Sequence, residues 1–196
     1  LAAALSKSDT QTKMTLSGEI SQEDISLSLT RSFSFTGSLD EEDPTYILLG
    51  DESTSPLVSV GVSAGASNAD TTVTFSSLYF ALLTDNEEAT ANAASFFTVT
   101  SGTGGKATLA FDHAIFTSYL FEEDDPEARA KSRRNPSEEM PPLTYATLSA
   151  PLINAADGVL SLADCSFVYL QLFTTSLLKV SAAKDALAMS GDNKFT

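Results

Sequence analysis

The residue types that do chemistry are scarce in this chain, which has one histidine, His113, one cysteine, Cys165, and no tryptophan. Gly61-Val62-Ser63-Ala64-Gly65 has the G-x-S-x-G pattern of a nucleophile elbow, where a serine sits on a sharp turn between a strand and a helix. Here the residues that follow, Ala66-Ser67-Asn68-Ala69-Asp70, read as a turn into another strand. His113 is the only base on offer, so the pattern is read as a strand end. Gly104-Gly105-Lys106 lacks the earlier glycine of a phosphate loop (Thr100 stands there) and its following hydroxyl (Ala107 stands there). His113 follows an alternating stretch and reads as a structural histidine. Cys165 precedes the apolar run of residues 167–173 and reads as a small buried hydrophobe. One Cys and one His exclude an internal disulfide and every zinc cage built from Cys and His. These features favour a protein that is not an enzyme.

Carboxylates are the remaining candidates. Asp40-Glu41-Glu42-Asp43 is closed by Pro44, and Glu122-Glu123-Asp124-Asp125 is closed by Pro126. Hard cations such as Ca²⁺ take six to eight oxygens from loops of this kind. The candidate ligands are Asp40, Glu42, Asp43, Glu123, Asp124 and Asp125. The ordinary meaning of such runs is a solvated acidic surface, so the cofactor expectation is none, with Ca²⁺ as the alternative. Paired carboxylates also serve glycoside hydrolysis, but the absence of tryptophan speaks against a sugar cleft.

The composition narrows the class further. The 196 residues carry 26 Asp and Glu against 11 Lys and Arg, a formal charge of −15. Such a surface repels phosphate backbones and anionic lipid, so direct nucleic-acid binding is not expected. No apolar run approaches the roughly 20 residues of a membrane-spanning helix. At 42% hydrophobic residues the chain can build a core and is not a disordered polymer. Serine and threonine together make up 49 residues, a composition that suits exposed strand faces and turns.

The elements that position these residues read as β. From Ile25 to Phe35 the odd positions are apolar except for Arg31, and the even ones are all Ser or Thr. A period of two is the signature of a strand with one face buried, with a bend expected at Arg31. Further strands are expected at 46–49, 57–62, 71–83, 96–100, 106–111, 143–148 and 166–173. The glycine-rich Ser101–Gly105 stretch between two of them reads as a hairpin loop. Helix is expected only over short stretches, 85–94 and 181–189. Many short strands with polar breaks predict an all-β fold, an antiparallel β-sandwich with jelly-roll or Greek-key wiring. One long charged loop, 122–142, interrupts it. Phe35–Leu39 and Phe116–Leu120 both lead into acidic turns, an echo read as similar strand ends rather than as a duplication.

The expected organisation is an N-terminal arm or first strand over 1–20, one sandwich over 21–180, and a C-terminal tail or short helix over 181–196. The expected function is structural: a self-assembling subunit of an extracellular or cell-surface filament, with copies of itself as partners. A virion protein of capsid or tail-tube type and a Ca²⁺-dependent binding module are the alternatives. Subunit contacts are expected from an exchanged donor strand carrying Leu1, Leu5, Met14 and Leu16. The basic cluster Arg129, Lys131, Arg133 and Arg134 is expected to face acidic residues of a neighbouring copy.

Overall fold

The computed structural model describes residues 12–21, 26–50, 55–62, 70–83, 94–103, 105–119, 146–172 and 175–196. Alternation builds its strands, as in the segment around Arg31. Leu27, Leu29, Phe33 and Phe35 are all buried, while Ser28 and Thr30 between them are exposed. They do not form one strand. Leu27–Leu29 and Phe33–Thr36 are separate strands that meet at a corner containing Arg31. The bend expected at Arg31 is thus the edge between two faces of the fold.

That corner recurs throughout the chain. The first coil consists of β1 (Lys13–Thr15), β2 (Glu19–Ser21) and β3 (Leu27–Leu29), one strand on each of three faces, here called I, II and III. The second consists of β4 (Phe33–Thr36), β5 (Tyr46–Leu49) and β6 (Val58–Gly61). The third consists of β7 (Thr71–Ser76), β8 (Tyr79–Leu83) and β9 (Phe97–Thr100). In the fourth, β10 (Ala107–Asp112) and β11 (Ile115–Tyr119) precede a short accessory strand, β12 (Ala146–Leu148), and β13 (Ile153–Asp157). The fifth runs through β14 (Val159–Ala163), β15 (Ser166–Val168), the accessory β16 (Leu170–Leu172) and β17 (Leu178–Val180). A sixth coil supplies faces I and II, with β18 (Leu187–Ser190) and β19 (Lys194–Phe195).

Each face is a parallel sheet. Face I has the order β1-β4-β7-β10-β14-β18, face II β2-β5-β8-β11-β15-β19, and face III β3-β6-β9-β13-β17. The chain therefore winds as a parallel β-helix, a solenoid in which each coil contacts chiefly its neighbours. This overturns the antiparallel sandwich, and the jelly-roll and Greek-key wirings go with it. Every pairing between the named strands is parallel. The glycine-rich hairpin is corrected as well. β9 and β10 lie on different faces, and the loop between them holds a single antiparallel bridge, Gly102 to Gly105. A hairpin and a solenoid corner both read as a polar break between alternating segments, so the sequence alone does not separate them. The expected helix over 181–189 is replaced by turns and β18, while 85–94 lies almost wholly outside the described residues. All of the expected loop 122–142 and the first eleven residues lie outside them too.

Stacked side chains fill the interior. On face I, Met14, Phe35, Phe75, Phe111, Leu162 and Met189 share one column; on face II, Ile20, Ile47, Phe80, Phe116, Phe167 and Phe195 share another. Within the second column the rings of Phe80 and Phe116 stack at 4.7 Å, Phe116 and Phe167 at 4.6 Å, and Phe167 and Phe195 at 4.9 Å. These separations equal the spacing of neighbouring strands, so the backbone ladder itself sets the ring stack. The two columns meet edge to face, as Phe80 does with Phe111 at 5.6 Å, an arrangement aromatic quadrupoles favour. The echo between Phe35 and Phe116 is not a repeat, since the two lie in different columns.

The corner from face I to face II is tight and repeats. Ser77, His113 and Asp164 adopt φ of 54°, 52° and 51°, and Gly191 takes the same place with φ of 68°. The next residues, Leu78, Ala114 and Cys165, turn inward and are fully buried. Hydrogen bonds between coils continue through the corner: Ser77 N donates to Asp112 O, His113 N to Ala163 O, and Asp164 N to Ser190 O. Because successive corners support one another, non-glycine residues are held in a conformation they rarely adopt.

Candidate assembly surface at the ends of the coil

The residues singled out for chemistry sit apart. His113 occupies the corner with its side chain 59% exposed, its Nδ1 lying 2.7 Å from Asp112 Oδ1 and its Nε2 4.0 Å from Asp164 Oδ2. Cys165 is fully buried one coil further on; desolvation by burial pushes its thiol pKa up. A thiol held neutral is a poor nucleophile. Gly61 ends β6, and Ser63 to Gly65 lie outside the described residues.

Of the Ca²⁺ candidates, Asp40, Glu42 and Asp43 are described, and Glu123, Asp124 and Asp125 are not. Asp40 organises its own turn: its Oδ1 accepts from Glu42 N at 3.2 Å, and its carbonyl accepts from Asp43 N at 3.2 Å. This local bonding is the ordinary role of Asp in turns. Among the described residues no three His, Cys, Asp or Glu side chains gather as a metal site. Arg129, Lys131, Arg133 and Arg134 lie outside the described residues, as do Leu1 and Leu5. Met14 and Leu16 belong to the first coil, Leu16 buried in the core and Met14 half-buried against it.

An open groove of about 460 Å³ runs beside the corner from face III to face I, lined by Thr100, Ser101, Lys106, Asp157, Lys184 and Asp185 among others. Its charges are mixed, with two lysines set against two aspartates, so it favours no single sign of ligand.

The ends of the coil differ from its sides. Five large hydrophobic residues are exposed among those described: Tyr169, Leu172, Leu187, Met189 and Phe195. Three of them belong to the last coil, and all three lie on columns that are buried in the second to fifth coils. Leu187 continues the line of Leu109 and Leu160, Met189 that of Phe111 and Leu162, and Phe195 ends the phenylalanine stack. β18 and β19 are also edge strands, each paired on one side only among the described residues. At the other end β1, β2 and β3 form, among the described residues, the opposite edge of the same three sheets, with Met14 and Ile20 half-buried at the ends of their columns. Neither Phe195 nor Lys194 was singled out from the sequence. The alternation of Leu187 and Met189 was the available signal, hidden by a segment also compatible with helix.

Asn193 secures the final corner. Its Oδ1 accepts from Cys165 N at 2.9 Å, and its Nδ2 donates to Ser190 O at 2.8 Å. Lys194 beside it reaches Asp192 with Nζ to Oδ2 of 3.3 Å, both side chains largely exposed.

Comparison with protein-family models, with curated proteins and with solved structures returns no match. Among the described residues no helix is long and apolar enough to cross a membrane.

Proposed function

We propose that this chain is a non-enzymatic structural protein, a subunit that stacks end to end into an extracellular or cell-surface filament. One observation carries the reading: among the described residues β1 to β3 and β18 and β19 are each paired on one side only, and the last coil exposes Leu187, Met189 and Phe195 on columns that are buried in the second to fifth coils. Unpaired strand edges template the addition of further strands. Because the two ends differ, their contact is heterologous and produces an open filament unless its rotation closes a ring. The formal charge of −15 suits this role, since copies of like net charge resist non-specific clumping.

Sedimentation velocity of the purified full chain over a wide concentration range, with negative-stain microscopy of the same samples, tests the reading. Linear particles that lengthen with concentration support it. A monodisperse monomer at the highest concentration contradicts it.

A further inference from the structure

The strand register determines which residues would meet if one copy stacked on another. On face II, Glu19 pairs with Tyr46, Tyr46 with Tyr79, Tyr79 with Ile115, Ile115 with Ser166, and Ser166 with Lys194. Glu19 and Lys194 are thus the two ends of one outward-facing column. They carry opposite charges, and both are exposed. Within one copy they stand five strand spacings apart, roughly 24 Å at ~4.8 Å per strand, and cannot touch.

Resting on the filament reading above, we infer that a second copy of this chain docks on β18 and β19 with its β1 and β2, in the register the solenoid already uses. In that register Lys194 faces Glu19 of the incoming copy while keeping Asp192 as a neighbour. Phe195 lies on the incoming Ile20, and Met189 on the incoming Met14. The Phe195 contact repeats one already present in the same column, where Ile47 lies against Phe80. A shift by one residue would turn the apolar residues of the edge outward and set Lys194 beside Ile20, so alternation and charge select the same register.

Disulfide trapping tests the register. In the full chain carrying Glu19→Cys and Lys194→Cys, docked copies bring the two Cα atoms to about 5 Å, within the range a disulfide spans. Cys165 is buried and does not compete. The control pair is Lys13→Cys with Lys194→Cys, which lie on different faces. The expected result is a ladder of covalent multimers for the first pair and monomer for the second under the same oxidant. If the parent protein assembles and the first pair yields no more ladder than the control, the register is wrong while the filament reading stands. If the parent stays monomeric at every concentration, both fail together.

Discussion

Phe116 and Phe167, 51 residues apart in the chain, stack face to face with centroids 4.6 Å apart and planes parallel. Nothing in their local sequence joins them; each lies on face II because its coil returns there. Phe116 touches Phe80, Phe97, Phe111 and Phe167, so it ties the face II stack to the other two faces.

Truncating this ring should therefore be costly. Phe116→Ala removes a fully buried side chain and leaves a cavity that rigid ladders cannot close, an expected loss of about 3–5 kcal/mol. Urea unfolding of the variant against the parent measures it. A loss below about 1 kcal/mol would mean that the ring is not enclosed by the stack.

The alternation in these segments was legible in the sequence; their winding was not. Leu27 to Phe35 shows why. Three residues at a corner preserve the parity of inward and outward positions, so two strands on two faces read as one long strand. The repeat was hidden for a related reason. Successive members of the face I column, Phe35, Phe75, Phe111 and Leu162, are separated by 40, 36 and 51 residues, because the loops between faces vary in length. A fixed period never emerges for the eye to find. The end surface was equally obscure, since Phe195 counts as an edge residue only once the coil around it is known.

Gly158 marks a corner where backbone and side chain crowd. A Cβ there would collide with Val99 and lie 3.1 Å from the Ala107 carbonyl oxygen, whereas at Gly50 no described atom lies within 4 Å. Gly158→Ala should destabilise by about 1–3 kcal/mol. Gly50→Ala should stay within about 0.5 kcal/mol. Thermal melts of the two variants side by side check this, and equal shifts would contradict it.

Asn193→Ala removes the side-chain acceptor of Cys165 N and the donor to Ser190 O. The expected cost is about 1–2 kcal/mol, concentrated in the last coil. Amide hydrogen exchange should speed up in residues 187–196 and remain unchanged around Phe80. Uniform acceleration along the chain would contradict a local role.

Burial raises the Cys165 thiol above its ordinary pKa of 9.0, and desolvation, followed by the nearby Glu41, raises Tyr79 above 10.0. The folded state thus holds these protons more tightly than the unfolded state, which favours unfolding as pH rises. Their contribution leaves stability unchanged below pH 9 and lowers it as pH climbs from the ordinary values through the raised ones. Denaturant midpoints between pH 8 and 11 should fall, and the fall should begin later in Cys165→Ala. An identical pH profile for that variant would rule out the thiol as a contributor.

Lys194→Glu places like charge opposite Glu19 in the inferred junction. Exposed ion pairs contribute at most about 1 kcal/mol, so association should weaken by several-fold at low salt and little at high salt. Adding Glu19→Lys should restore it. Failure of the double reversal to recover association would remove this pair from the junction.

The most direct test of the end-to-end coil is X-ray diffraction from aligned filaments of the purified protein. Strands lying across the axis, coil upon coil and copy upon copy, predict a strong meridional reflection at 4.7–4.8 Å. The same reflection on the equator, or no aligned filament at any concentration, would contradict the account.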